Sequence, residues 1–357
     1  MSATNKMLNA EPPSFGKKVA LAVLPPTVAE WAKVAKRTGL LLTNYSYDFW
    51  RYAKYSSAVF RGNSEEKLRA LITIHYHSLE KGLSLAKPRP GFGVAAVDTL
   101  MAHIDLYLKQ YGPADHLSIP LGALKAYVVF NGAHGVERPG LAQKVAELQR
   151  IYELKLGEMA EVGGARRVDK AEIGRAIAGV DRSFFESRYS IRQFTPEPVD
   201  LELLKEATRR AQKSPAVCNR QSGKAWVIDG RENVNKALDI QKGARGFAEQ
   251  VNKVIIITSD QCNFQSAGER YQSWIDGGLF AMSYIYALHS LGLGSCCLNW
   301  SMEHKRDREL RAAFNIPQTE TIIMLLAVGH IPDELMVASS VRKPLEEAFC
   351  LVSSSSS

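Results

Sequence analysis

Arg188, Ser190 and Arg192 occupy alternate positions in the stretch Ser187-Arg188-Tyr189-Ser190-Ile191-Arg192-Gln193-Phe194. On an extended segment alternate side chains point the same way. Two guanidinium forks and a hydroxyl would then address one point in space, a grip suited to a phosphate or another oxyanion. The next residues, Thr195-Pro196-Glu197-Pro198-Val199-Asp200, hold two prolines that exclude a helix, and they end on an N-cap candidate, Asp200. A solvated basic turn would be written with the same residues, so the reading depends on what surrounds the stretch.

Two other stretches carry chemistry-bearing side chains. His75-Tyr76-His77-Ser78-Leu79-Glu80-Lys81-Gly82-Leu83 offers two histidines and a glutamate. On a helix His77 and Glu80 share a face, but His75 lies about 200° around from His77, so the three cannot converge on a metal without a break. Gly82 reads as a helix C-cap. Lys87-Pro88-Arg89-Pro90-Gly91-Phe92-Gly93 is a basic, turn-rich loop. With Lys81 it would serve as a lid or select an anionic substrate, or it simply connects two helices.

The elements that must position these residues fall into two styles. From Val28 onward apolar residues recur at helical spacing through Trp31, Val34 and Ala35. Tyr45, Phe49, Tyr52 and Tyr55 form an aromatic stripe, with Trp50 nearby, that the spacing assigns to a core. Ser64 caps a helix through Leu68, Leu71, Ile72 and His75, with acids in its first turn. Helices follow over 94–111 and 139–162, Gly163-Gly164 breaks the pattern, and a short helix covers about 171–180. Ala126–Phe130 is ambiguous between helix and strand. After residue 181 strands and helices alternate. Strands are expected at 225–229, 254–258, 296–298 and 322–328. Helices are expected at about 203–211, 234–241, 270–291 and 304–314, and Gly292 is suited to a left-handed turn. A sheet covered by helices follows from that alternation. The expected organisation is α+β: a mostly helical domain over 1–180, then a sheet domain over 181–357 that ends in a serine tail.

Charge divides at the same place. Residues 1–180 carry 24 basic and 16 acidic side chains, and residues 181–357 carry 21 of each, so the whole +8 lies in the first half. There is no long Lys/Arg run and no stacking-aromatic motif, which argues against nucleic acid. No segment reaches the ~20 apolar residues of a membrane span. The apolar run after Lys17-Lys18 stops at Pro25-Pro26 without a cleavage site. Five cysteines without paired spacing point to a reducing cytoplasm.

Four pieces of the second half, in order, resemble the nitroreductase family of FMN-dependent oxidoreductases. Arg188–Phe194 is similar to its Arg-x-Ser-x-Arg-x-Phe signature. Ser214-Pro215 with Asn219-x-Gln221 resembles its Ser-Pro-Ser-x-x-Asn-x-Gln loop. Leu291-Gly292-Leu293-Gly294-Ser295 is similar to its Leu-Gly-Leu-Gly-Ser turn. Val328-Gly329-His330 and Arg342-Lys343-Pro344 resemble its C-terminal Gly-His and Arg-x-Pro. The resemblance implies a nitroreductase-like sheet flanked by helices, with FMN at a homodimer interface. Arg188, Ser190 and Arg192, with Tyr189 between them, would hold the phosphate, the ribityl chain and the pyrimidine end of the flavin. The backbone of Pro215 and Ala216, with Asn219 and Gln221, would line the flavin from the partner subunit. The backbone of Leu298 and Asn299 would approach flavin N5, and Arg342 would be a second phosphate ligand. Three departures stand out: Ala216 replaces the usual serine, Ser222-Gly223 replaces Pro-Trp, and Ser340 sits where some members place a lysine. The first half resembles the helical extension of a longer nitroreductase-like group associated with polysaccharide gene clusters.

The activity so implied is two-electron transfer from NAD(P)H through FMN to a small organic acceptor, with no side chain acting as a dedicated acid or base. Two alternatives share the same motifs. One is a flavin-dependent dehydrogenase acting on a biosynthetic intermediate. The other is a flavin-binding regulator or scaffold without turnover.

Overall fold

A computed structural model describes residues 26–352 except 61, 63 and 161. The apolar run at 19–24 and the terminal serines at 353–357 lie outside the described residues. Chain contacts divide the molecule after Tyr52. The described part of the first unit lies on one helix, α1 (Pro26–Tyr55). The core expected around its aromatic stripe is not there: Tyr45, Phe49 and Trp50 are exposed. The three apolar cores of the described residues include no residue of α1. Helical spacing produces an apolar face, but burying it needs an opposing element, and this unit's described residues supply none.

The second unit begins with four helices: α2 (Glu65–Leu83), α3 (Val94–Tyr111), α4 (Ser118–Ala133) and α5 (Leu141–Leu156). Ser64 caps α2 by accepting a bond from the Lys67 amide. Leu68, Ile72 and Leu79 of α2 meet Leu100 and Ile104 of α3 and Leu121 and Leu124 of α4 in one core. Each fully buried aliphatic side chain of this kind contributes about 1.5–3 kcal/mol. The ambiguous stretch Ala126–Phe130 lies within α4, so helical packing decided it. Gly82 is not a C-cap. It lies inside α2, which runs on to Leu83, and a Cβ there would collide with the Phe92 ring. The expected helix over 139–162 ends at Leu156, ahead of Gly157.

After α6 (Lys170–Ile177) and α7 (Arg182–Glu186) the chain enters a four-stranded antiparallel sheet. Its strands are β1 (Gly223–Ile228), β2 (Lys253–Asp260), β3 (Leu293–Asn299) and β4 (Glu320–His330), in the order β1-β2-β4-β3. β2 and β4 are central, β1 and β3 are edges. Every residue of β2 is buried because helices cover both faces. Strand periodicity sorts its side chains. Val254 and Ile256 join Leu325, Ala327 and Leu298 on one face, and Ile255 and Ile257 join Leu326, Val328 and Leu293 on the other. The first face is covered by α9 (Arg231–Gln241) and α11 (His304–Phe314), the second by α8 (Leu201–Ala211) and α10 (Gln272–Ser290). Asp200 caps α8 through the Glu202 amide, as its position after the prolines predicts. The architecture is α+β. Residue 180 lies between the core built from residues 68–152 and the two built from residues 191–328.

Candidate functional site

Residues 188–194 run extended along the outer edge of β3. Ser190 bridges Ser295 in parallel, the Ile191 amide donates to the Ser295 carbonyl at 2.9 Å, and the Thr195 amide donates to the His330 carbonyl at 3.0 Å. Two side chains fasten the segment. Ile191 packs on Gly294, where a Cβ would lie 3.1 Å from its Cγ2. Phe194 packs on Gly329, where a Cβ would lie 2.7 Å from its ring. Three of the sequence pieces thus meet physically: the glycines of the Leu-Gly-Leu-Gly-Ser and Gly-His pieces are the sockets for the first piece. With Ile191 and Phe194 turned inward, Ser190 and Arg192 lie to either side of a buried residue.

Arg188 and Arg192 form no ion pair with a described residue. Arg192 Nη1 donates only to the Ser190 carbonyl, at 3.3 Å. Both cations lie near β3 thiols. Burial pushes the Cys296 thiol up and Arg192 opposes that shift, while the exposed Cys297 lies near Arg188. Tyr189 is exposed. Further along β3, Leu298 is buried and Asn299 is exposed. The Asn299 carbonyl accepts from Gln241 Nε2 at 2.9 Å. Trp300 Nε1 donates to Asp307 at 3.0 Å, and Asp307 is gripped by the buried Arg311 at 2.6 Å, which fixes the end of the strand against α11.

The loop over 214–221 is held quite differently. Cys218, Asn219 and Gln221 all adopt positive φ, at 49°, 54° and 50°. Such a cluster of non-glycine residues is costly and persists only where the surroundings over-determine it. Two charged groups do so here. Asp276, on α10, accepts from the Val217 amide at 3.2 Å and from Gln272 Nε2 at 2.7 Å. Arg220, whose side chain is 1% exposed, donates from Nε to the Val217 carbonyl at 3.1 Å and from Nη1 to the Asn263 carbonyl. It also pairs with Glu269 and lies over the Phe264 ring. Helix α2 packs against the turns at Val217–Asn219 and Gln261–Asn263, so the helical half braces this loop. A small cavity of about 80 Å³ opens between Pro215, Ala216, Gln221, Gly223, Asp276 and Phe280. Burial raises the Asp276 carboxyl above its ordinary value despite the bonds it accepts.

Sequence reasoning missed Arg220, Glu269 and Asp276. The pair Gln272 and Asp276, one turn apart at the start of α10, was a local signal for Asp276.

The two groups of residues do not meet within one chain. The 188–194 segment and Asn299 border β3, the 214–221 loop leads into β1, and β2 and β4 lie between. Three inter-strand steps amount to about 14 Å. Arg342 lies in exposed chain beyond β4, and its Nη1 donates to the Ser340 carbonyl at 2.7 Å. That chain is tied near the first group by the Met336 amide, which donates to Gln193 Oε1 at 3.2 Å. His77 pairs with Glu80 at 3.1 Å, while His75 stacks on His103. Among the described residues no cluster of His, Cys, Asp or Glu could hold a metal. Lys81, Lys87 and Arg89 are exposed. All five cysteines are free thiols, and among the described residues no helix is long and apolar enough to cross a membrane.

The family model described as the nitroreductase family matches residues 185–243 and 233–330 of this chain. Residues 185–330 belong to the nitroreductase family. The chain is thereby an oxidoreductase-type enzyme, with a helical N-terminal region added to the nitroreductase domain. An iodotyrosine deiodinase from Nematostella vectensis is 25% identical over 197 residues, covering 46% of this chain and 72% of the relative. An FMN-dependent nitroreductase from Clostridium difficile is 22% identical with a TM-score of 0.38, covering 44% of this chain and 91% of the other. A protein from Desulfovibrio desulfuricans described as a nitroreductase, solved in complex with FMN, is 20% identical with a TM-score of 0.40, covering 48% of this chain and 95% of the other.

Proposed function

We propose that the nitroreductase domain is an FMN-dependent oxidoreductase that works as a homodimer and passes two electrons from NAD(P)H to a small organic acceptor. The observation that carries this reading is the pair of guanidiniums, Arg188 and Arg192, on either side of Ser190 at the open edge of β3, which form no ion pair among the described residues. A cation held without a counter-ion is a ready partner for a phosphate, and an arginine fork suits its oxygens. The residues therefore fit FMN. When bound, FMN supplies the two-electron chemistry. The chain's own residues bind and orient. Arg188, Tyr189, Ser190 and Arg192 hold the phosphate end and the electron-rich edge of the ring system. The backbone of Leu298 and Asn299 flanks the reactive edge, and Arg342 adds a second phosphate contact. Pro215, Ala216, Asn219 and Gln221 close the site from the other subunit. The separation of the two groups across the sheet supports the dimer, because closing one site requires the β1 side of a second copy.

The test begins with the purified full chain. It should be yellow, sediment as a dimer, and release FMN rather than FAD on denaturation. It should then oxidise NADH or NADPH when given a quinone, a nitroaromatic or iodotyrosine. Iodotyrosine joins the panel because a relative's name carries it. A colourless monomer that takes up no FMN would overturn the reading. Stoichiometric FMN without turnover on any acceptor would reduce it to flavin binding.

A further inference from the structure

The helical half holds a cavity of its own, of about 340 Å³, lined by none of the residues assigned above to the flavin. It opens between the start of α3, the body of α4 and the start of α5. Its wall is mainly apolar, formed by Val94, Tyr127, Val128, Val136 and Leu141. The size lies at the lower end of the ~300–1,000 Å³ typical of small-molecule sites.

Glu137 also lines it but is exposed to solvent, and the buried polar groups around it are accounted for with one exception. Tyr127 donates its hydroxyl to the Phe92 carbonyl at 2.6 Å. Asn131 accepts from the Gly91 amide at 2.6 Å and donates to the Tyr127 carbonyl at 2.9 Å. Arg138 uses Nη2 on Asp98 at 2.5 Å, but its Nη1, also in the cavity wall, is buried without any partner. A buried N–H left unmet is costly, and an anionic oxygen would satisfy it with a charge-assisted bond. The cavity is also what the two unexplained sequence stretches build. Phe92 of the Arg-Pro-Gly-Phe-Gly turn rests on Gly82 of the Glu-Lys-Gly-Leu run, and that packing presents Gly91 to Asn131 as one wall.

We propose that this cavity is a second small-molecule site, which takes a compact apolar molecule bearing one carboxylate, with the carboxylate on Arg138. The site is independent of the flavin reading, since none of its lining residues belongs to the nitroreductase domain.

Benzoate is the probe, with toluene as the apolar control, on the full chain as purified, followed by ligand-observed NMR and titration calorimetry. Benzoate should bind saturably and toluene at least about tenfold more weakly, the scale of one hydrogen bond to a charged group. Arg138→Met should weaken benzoate by a similar factor and bring it level with toluene. Gly132→Phe adds a ring at a lining position of α4, where a Cβ meets nothing within 4 Å. It should abolish binding of both probes while the melting temperature and far-UV spectrum stay as in the parent. Benzoate binding that both variants leave untouched lies elsewhere and overturns the proposal. Equal binding of toluene and benzoate to the parent overturns the role of Arg138. Absence of saturable binding of either probe up to millimolar concentration overturns the site.

Discussion

The two halves of the proposed flavin site are held by opposite means. The 188–194 segment is relaxed backbone, pinned by two apolar plugs, Ile191 and Phe194, in the gaps left by Gly294 and Gly329. Its cations are left free. The 214–221 loop is strained backbone, pinned by buried charges, and its arginine is spent entirely on structure. A plug costs little and leaves polar groups available for a ligand. A left-handed loop needs specific hydrogen bonds to hold it, and only charged side chains with several donors or acceptors supply them. Arginine therefore has two different roles within one site, and its type alone does not say which.

Removing the clamp should have the largest effect. Arg220→Met leaves Glu269 and the Val217 and Asn263 carbonyls without their donor, and should cost about 3–5 kcal/mol, the scale for a broken buried ion pair. Urea unfolding measures it, and Arg220→Lys should recover little because one ammonium cannot replace the fork. A loss below about 1 kcal/mol would mean that the loop is held by something else.

On the other side, Arg188→Ala and Arg192→Ala should each weaken FMN roughly ten- to hundredfold, the equivalent of about 1.5–3 kcal/mol, with the urea midpoint unchanged. If either variant lost stability instead of affinity, that arginine would belong with Arg220. Plugging the socket tests the same segment without touching a charge. Gly329→Ala places a methyl group against the Phe194 ring and should cost about 1–3 kcal/mol by overpacking. It should also lower FMN content, because the segment that carries the arginines shifts with Phe194. Full FMN content in a destabilised Gly329→Ala would separate the plug from the cations.

The smallest expected effect is a pH dependence. Burial raises the Asp276 carboxyl above its ordinary 3.8. The stability linked to this group is therefore full below about pH 3.8 and is lost as pH rises through the raised folded value. Asp276→Asn keeps an acceptor for the Val217 amide and removes the ionisation. Its melting temperature relative to wild type should rise from acid to neutral pH. A constant difference across that range would show that the carboxyl does not titrate with folding.

The string 188–194 was legible from alternation on an extended segment, whereas 291–295 and 328–330 stood out by their family resemblance, and only the structure shows what their glycines make room for. The strands were legible because the β-branched run of β2 and its period-two partners in β4 are a local pattern, and His304–Phe314 was legible in full from helical spacing. Other features were not local. The aromatic face of α1 has the spacing of a core residue set, but burial depends on what stands opposite, and spacing says nothing of that. Gly82 has the type of a helix stop, yet its role is set by Phe92, ten residues on and in contact only after folding. Arg220 meets Glu269 and Asn263 across more than forty residues, and Arg138 meets Asp98 across forty. The sequence by itself determined which residues must be extended or helical, because those constraints act between near neighbours. The tertiary structure alone decided which arginines are spent on carboxylates and carbonyls and which remain free, because the electrostatic partner of a charge is set by distance in space.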